Sequence, residues 1–257
     1  MPETRPISPE ICLEAAQQLT ELGKANFPIV LADEVAVVKV VTAGFIARML
    51  GTADALLCLS RLERAADSLV LNRSLYEHAI TLAWLTGKKD EALERIALLQ
   101  RDDYEHRDKA DREFAQLRGE GILTEENRDV IALAMKRAGR RKLPPFTERA
   151  RIADVEWGKR FGFATGSNPL ASLRAAYTTL YRFGTAFAHP TLLGLNPVMD
   201  RTPAATVAFV EKGDQGAKSM LLVPNLLAIA LVIGSDLLGS PRMSEINAIF
   251  ESMKAPL

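Results

Sequence analysis

Apolar and polar positions along most of this chain recur with a period near 3.6, the spacing that puts residues i, i+3, i+4 and i+7 on one face of a helix. Ser8, Pro9 and Glu10 form a start signal, because serine caps, proline fits a first turn and glutamate complements the helix dipole. The pattern predicts a first helix over about 9–25 and, after the turn at Asn26 to Pro28, a second from near Asp33 to Gly51, where glycine can end it. Val35, Val37, Val38, Val40 and Val41 would also suit a strand. The length of the run and the line Val37, Val41, Phe45, Met49 favour helix. Thr52 and Asp54 then open a stretch that meets neither proline nor glycine before Gly87. Leu62, Leu69, Leu75, Ile80, Leu82, Trp84 and Leu85 leave it few polar faces, so it is the expected centre of a bundle.

From Lys88 to Arg118 the pattern changes, with charge around most of the circumference and one narrow stripe of Leu93, Ile96, Leu99, Asp103 and Phe114. Thr124, Glu125 and Glu126 begin a short helix that ends near Gly139. Asn168 and Pro169 resemble a cap and first turn for a helix running to Pro190. Alternation on both sides of the GDQG tetrad, residues 213–216, predicts a small β-hairpin over 205–222. Two closing helices follow, Pro224 to Leu238 and Ser244 to Met253. The expected fold is all-α, a multi-helix bundle with a small hairpin in its C-terminal third. One domain over 1–257 is expected, with its core in about 30–120 and 168–257.

Charge adds little at the level of the whole chain. The 32 basic and 32 acidic residues cancel, so no net field draws the protein to nucleic acid or to an anionic membrane. The local exception is 136–160, where nine basic residues face three acidic ones. It reads either as a solvated connection around Pro144 and Pro145 or as an electrostatic footprint for a phosphate-bearing ligand, with Arg137, Arg140, Arg141 and Lys142 as RNA-binding candidates. Cys12 and Cys58 lack the spacing of metal or redox motifs and are expected to be buried thiols. The stretch MPETRPISPE has no apolar run after a basic start, so the cytoplasm is the expected location. The apolar run Met220 to Gly234 is interrupted by Pro224 and Asn225 and is expected to be a core helix, not a membrane span.

Of the three histidines, His78 lies in NRSLYEHAITLAWL, His106 in RDDYEHRDK and His189 in YRFGTAFAHP. At about 100° per residue, Arg73 and Glu77 are neighbours on a helix, as are Tyr181, Thr185 and His189. Arg182 sits two turns before His189 and projects almost the same way, whereas Arg73 and His78 diverge. Spacing therefore favours Arg182 with His189 as the cation and base, and makes Arg73 with Glu77 a separate ion pair that can brace them. All four tyrosines fall in the same helices as the histidines, which suits a polar pocket between helices.

These segments, an Arg-x-x-x-Glu helix and a later helix ending in His189-Pro190, resemble an uncharacterised bacterial helical family related to the HEPN superfamily. The HEPN signature is arginine, four to six residues, then histidine; Arg73 to His78 has four intervening residues and Arg182 to His189 has six. A polar residue usually follows the arginine, as Ser74 does and Phe183 does not. The resemblance implies metal-independent RNA cleavage in a toxin–antitoxin or phage-defence system, with no cofactor and with sites facing one another across a homodimer. It implies that His189 is general acid or base, that Arg182 holds the scissile phosphate, and that Tyr181 and Thr185 orient them, with Arg73, Glu77 and His78 in support. An RNA or nucleotide ligand and a cognate protein are the expected partners. The alternatives are a non-catalytic helical interaction protein and a carboxylate-bridged metal site built on Asp103-x-x-His106, for which only one of the two required motifs is present.

Overall fold

The computed structural model describes residues 8–24, 36–62, 64–138, 141–161, 172–177, 181, 185, 199–201, 207–209, 220–239 and 242–253. Among them are α1 (Pro9–Lys24), α2 (Ala36–Arg61), α3 (Ala65–Thr86), α4 (Ala92–Arg118), α5 (Glu125–Ala138), α6 (Phe146–Phe161) and α7 (Leu173–Ala176). After these come the strands β1 (Met199–Arg201) and β2 (Val207–Phe209), a 3-10 turn (Met220–Leu222), α8 (Val223–Leu238) and α9 (Met243–Ser252). The fold is all-α, a multi-helix bundle.

Its centre is α8, in which eleven of sixteen residues are buried, among them Leu227, Leu231 and Ile233. By length and composition Met220–Leu238 and Ala36–Arg61 could each cross a membrane, but 67% of the apolar window of the first is buried by its own chain, as a core helix requires. Around α8 pack α1, α2 and α3. One hydrophobic cluster joins Cys12 and Leu19 of α1, Met49 and Leu56 of α2, Leu75 and Ile80 of α3, Trp157 of α6 and Leu231 of α8. The core therefore extends to α1 and α6, beyond the segments expected from sequence. Gly23 is where α1 closes on its neighbours: a Cβ there would meet Leu50 Cδ2 at 2.5 Å and Leu231 Cδ2 at 3.0 Å.

Three expectations are corrected by tertiary packing. Gly51 does not end α2, which continues to Arg61, and Thr52 is not a cap, since its hydroxyl donates to the Arg48 carbonyl at 2.9 Å. The break comes instead between Arg61 and Ala65, where no proline or glycine occurs; Arg64 N–H reaches back to the Leu59 carbonyl at 2.9 Å and the next helix begins from Arg64. Turning there lays α3 along α2, and each buries the other's apolar face, which a continuous rod could not do. Leu62 and Cys58, expected inside, lie on the outer side of this turn and are exposed, while Cys12 is buried and its thiol is pushed up to about 11, chiefly by burial.

The basic segment is the third correction. Lys136 and Arg137 belong to α5, the described connection is 141–145, and from Phe146 the chain is the helix α6, whose Ala150, Ala153 and Trp157 pack on α3. The ring N–H of Trp157 donates to the Ala83 carbonyl at 2.9 Å. A buried ion pair locks α6 to α4: Arg95 Nη1 and Nη2 each meet a Glu156 oxygen at 2.7 Å, and Nη2 also meets Glu91 at 2.7 Å.

α4 follows its expected course, though Leu93 and Phe114 are exposed and only Ile96 of the stripe is fully buried. Its outer half and α5 form a helical hairpin that contributes no residue to the hydrophobic cluster. Gly119, at φ 84°, ends α4, and Asp111 caps the turn by accepting the N–H groups of Ile122 and Leu123 and the Arg128 guanidinium. Strand β2 coincides with the first arm of the expected β-hairpin, but its antiparallel partner is β1, upstream, with Met199 opposite Phe209. The GDQG turn lies outside the described residues, as does the expected cap at Asn168 and Pro169.

Candidate functional site

A recess of about 370 Å³ opens where α2, α3, α4, α6 and the helical turn at Tyr181 converge. From α3 come Glu77, His78 and, one turn on, Thr81; α2 contributes Phe45, α4 Leu99 and Asp103, and α6 Phe146 and Arg149. Tyr181 closes one side. The lining is mixed, apolar at Phe45, Leu99 and Phe146, and it holds four ionisable types in one place: imidazole, carboxylate, guanidinium and phenol.

Each polar group has a definite setting. The Nδ1 of His78 lies 2.6 Å from the Ser74 carbonyl one turn back on α3. A carbonyl can only accept, so Nδ1 carries a proton, and in the neutral form of the ring Nε2 is the acceptor. Phe45 meets the imidazole edge-on, with ring centroids 5.9 Å apart. Arg73 Nε pairs with Glu77 at 3.1 Å, the i,i+4 contact expected from spacing. Its Nη2 reaches the Tyr181 hydroxyl at 3.3 Å and its guanidinium lies 4.6 Å from the Tyr181 ring centroid. Arg73 therefore ties α3 to the segment carrying Tyr181. Behind it Tyr181 stacks on Tyr177 at 4.9 Å and on Phe146 at 5.0 Å, fixing the phenol from the other face.

Arg149 is the residue that sequence reasoning undervalued, counting it only as one of nine basic residues. It is half-buried, with its guanidinium 5.1 Å from the Phe146 ring centroid and 5.9 Å from that of Trp84. Its Nη1 donates to the Thr81 hydroxyl at 3.2 Å, while its buried Nε has no partner among the described residues. Burial lowers its pKa, against the raising influence of Asp102, Glu77 and Tyr181. The group stays cationic all the same. No ion pair among the described residues satisfies it, in contrast with Arg95, Arg141 and Arg151. The available signal was the run Phe146, Arg149, Ala150, Ala153, Trp157, which places arginine on the buried face of an amphipathic helix.

The remaining candidates are dispersed. Arg182 and His189, the favoured pair, lie outside the described residues. The Thr185 hydroxyl donates to the Tyr181 carbonyl at 2.6 Å, a bond within its own helical segment. Arg141 pairs with Glu94, and its carbonyl accepts from Arg101 at 3.2 Å; Lys142 shares a crevice with the acidic Asp102 and Glu105. These two do not form an uncompensated basic patch. Arg140 and the side chain of Arg137 lie outside the described residues. His106 is exposed and faces Asp102 at 3.7 Å, whereas Asp103 lines the recess. The two groups of the Asp103-x-x-His106 motif thus have separate surroundings, and no metal-binding cluster occurs among the described residues.

The positions of α7 and Tyr181 rest on α6. Asp154 accepts the backbone N–H groups of Leu173 at 2.7 Å and Arg174 at 2.9 Å, and the buried Tyr76 hydroxyl donates to the Leu173 carbonyl. A family profile described as "Family of unknown function (DUF5677)" matches residues 39–205. The chain belongs to that family. The matched span contains every residue that lines the recess, whereas α1, α8 and α9 lie outside it. No curated protein and no solved structure matches the chain.

Proposed function

We propose that the chain is an HEPN-like protein that takes an RNA phosphodiester into the recess on α3 and cleaves it without metal. The observation that carries this reading is Arg149, a half-buried cation with no carboxylate partner within ion-pair distance among the described residues, lining the same recess as the His78 imidazole, whose Nδ1 is engaged by the Ser74 carbonyl. A half-buried guanidinium whose Nε has no partner among the described residues is favoured when an anion completes it, and its planar fork matches a phosphate. Arg73 and His78 have the four-residue spacing of the HEPN signature; the histidine lines the recess, and the arginine, which diverges from it on α3, braces the pocket through Glu77 and Tyr181.

In this mechanism Arg149 holds the non-bridging phosphate oxygens and stabilises the charge that develops on them. Nε2 of His78 takes the proton from the 2′-hydroxyl, whose oxygen attacks phosphorus. The bond from phosphorus to the 5′-oxygen breaks, and the imidazolium returns its proton to that oxygen. The products are a 2′,3′-cyclic phosphate and a 5′-hydroxyl. No electron transfer or co-reactant is needed. Asp103 opposes anion binding, so affinity for a single phosphodiester is moderate and falls with salt.

The test is RNA cleavage in excess chelator by the purified protein and by His78→Ala, Arg149→Ala, His189→Ala and Arg182→Ala. The expected result is cyclic-phosphate ends from the wild type and at least about a hundredfold loss on removing His78. Loss confined to the last two variants would move the chemistry to that pair, and equal activity in all five proteins would discard the nuclease. The second reading, a helical interaction protein, is favoured by one observation, the two half-exposed apolar side chains Val130 and Leu133 on α5.

A further inference from the structure

α5 is fourteen residues long, and among its described side chains only Ile131 is buried. Helices of that length are marginal in water without packing, and α5 packs principally on α4. Its outer face nonetheless shows Val130 and Leu133, each about half exposed at 49% and 50%. The hairpin that presents them is held firmly by the Asp111 cap, so the exposure is not that of a frayed end.

Beside this apolar pair lie Asp129 and Lys136. Seven residues apart, they fall in one line along the helix, on the same flank of Val130 and Leu133. Both are exposed, and neither makes an ion pair within its own chain among the described residues. An acidic and a basic group arranged about an apolar centre form a surface that complements itself.

We propose that α5 is the contact between two copies of this chain, paired antiparallel about a twofold axis. Setting Val130 against the partner's Leu133 puts the axis midway between them. A twofold axis perpendicular to both helices keeps the charged flank on the same side of each. At a rise of about 1.5 Å per residue, Asp129 then falls within about 3 Å, along the axis, of the partner's Lys136, and the contact occurs twice. Parallel pairing about an axis along the helices would instead place the two charged flanks on opposite sides of the seam, where neither aspartate nor lysine meets an opposite charge. Two helices alone bury less than the roughly 800 Å² per partner of a standard interface, so the dimer is weak and depends on concentration. The inference is independent of whether the recess cleaves RNA.

Sedimentation equilibrium of the full chain tests it. The mass is expected to rise with concentration from 28.2 kDa toward twice that value. Leu133→Glu is expected to stay monomeric with unchanged helicity, since the side chain is half exposed. Asp129→Lys and Lys136→Asp each weaken association at least about tenfold, and combining them restores it. A wild type that stays monomeric throughout, or a dimer that Leu133→Glu leaves intact, would overturn the proposal. A combined variant no better than either single one would overturn the antiparallel register.

Discussion

Replacing Glu156 by glutamine tests whether the buried ion pair is what holds α6, and with it Arg149, against the bundle. The side chains of Arg95 and Glu156 are 6% and 8% exposed, so the charge left on Arg95 by the substitution is not taken up by water. Removing one partner of such a pair costs about 3–5 kcal/mol. Arg95 keeps Glu91, at 2.7 Å and 40% exposed, which places the loss near the lower end, about 3 kcal/mol. For a chain of this size that is a fall in Tm of roughly 6–12 °C. Urea unfolding followed by circular dichroism measures it directly. The companion variant, Arg95→Met with Glu156→Leu, removes both charges and is expected to recover most of the loss, because the burial cost disappears together with the attraction. A single variant within about 0.5 kcal/mol of wild type, or a double variant no better than the single one, would refute the reasoning. Gly87→Ala offers an independent approach to the same pair, since its Cβ would occupy space that the Glu156 side chain fills.

Gly23→Ala is expected to cost about 1 kcal/mol by thermal unfolding, because the crowding of Leu50 and Leu231 outweighs the gain in helix propensity. Asp103→Asn removes a repelling carboxylate from the recess and is expected to raise affinity for an uncleavable oligonucleotide about threefold to tenfold at low salt, read by fluorescence anisotropy. The Asp111 carboxyl is held below its ordinary range, first by the Leu123 N–H and then by those of Ile122 and the Arg128 guanidinium, against the cost of burial. A carboxylate lowered in the folded state contributes stability that is present above its unfolded pKa, about 4, and is lost as pH falls through the folded value. Hydrogen-exchange protection in α4 and α5, taken relative to the intrinsic rate at each pH, should therefore fall on acidification below about pH 4, and Asp111→Asn should show low protection there at neutral pH already.

Most helices were legible because their signals are local. Ser8 with Pro9, Thr124 before Glu125, and the near-continuous apolar run of α8 announce themselves within a few residues. The turn between α2 and α3 was not legible, because nothing in Leu62 to Arg64 forbids a helix; the break is set by what the two helices bury when folded together. α6 was masked by Pro144, Pro145 and a high count of basic residues, although the spacing from Phe146 to Trp157 carries a helical face. In the recess, Arg73 with Glu77 followed from an i,i+4 rule. The meeting of His78, Asp103, Arg149 and Tyr181 did not, since those residues come from four segments of the chain and their convergence depends on how α4 and α6 pack against α3.

The proposed function depends most on Arg149 being the group that receives a phosphodiester in the recess. Calorimetric titration of an uncleavable 2′-deoxy oligonucleotide into the wild type and into Arg149→Met measures this without requiring turnover, and methionine preserves much of the contact with Trp84 and Phe146. Binding to the wild type that weakens at least about tenfold in the variant is the expected result. Equal affinity in the two proteins, or no binding to the wild type at low salt, would contradict it.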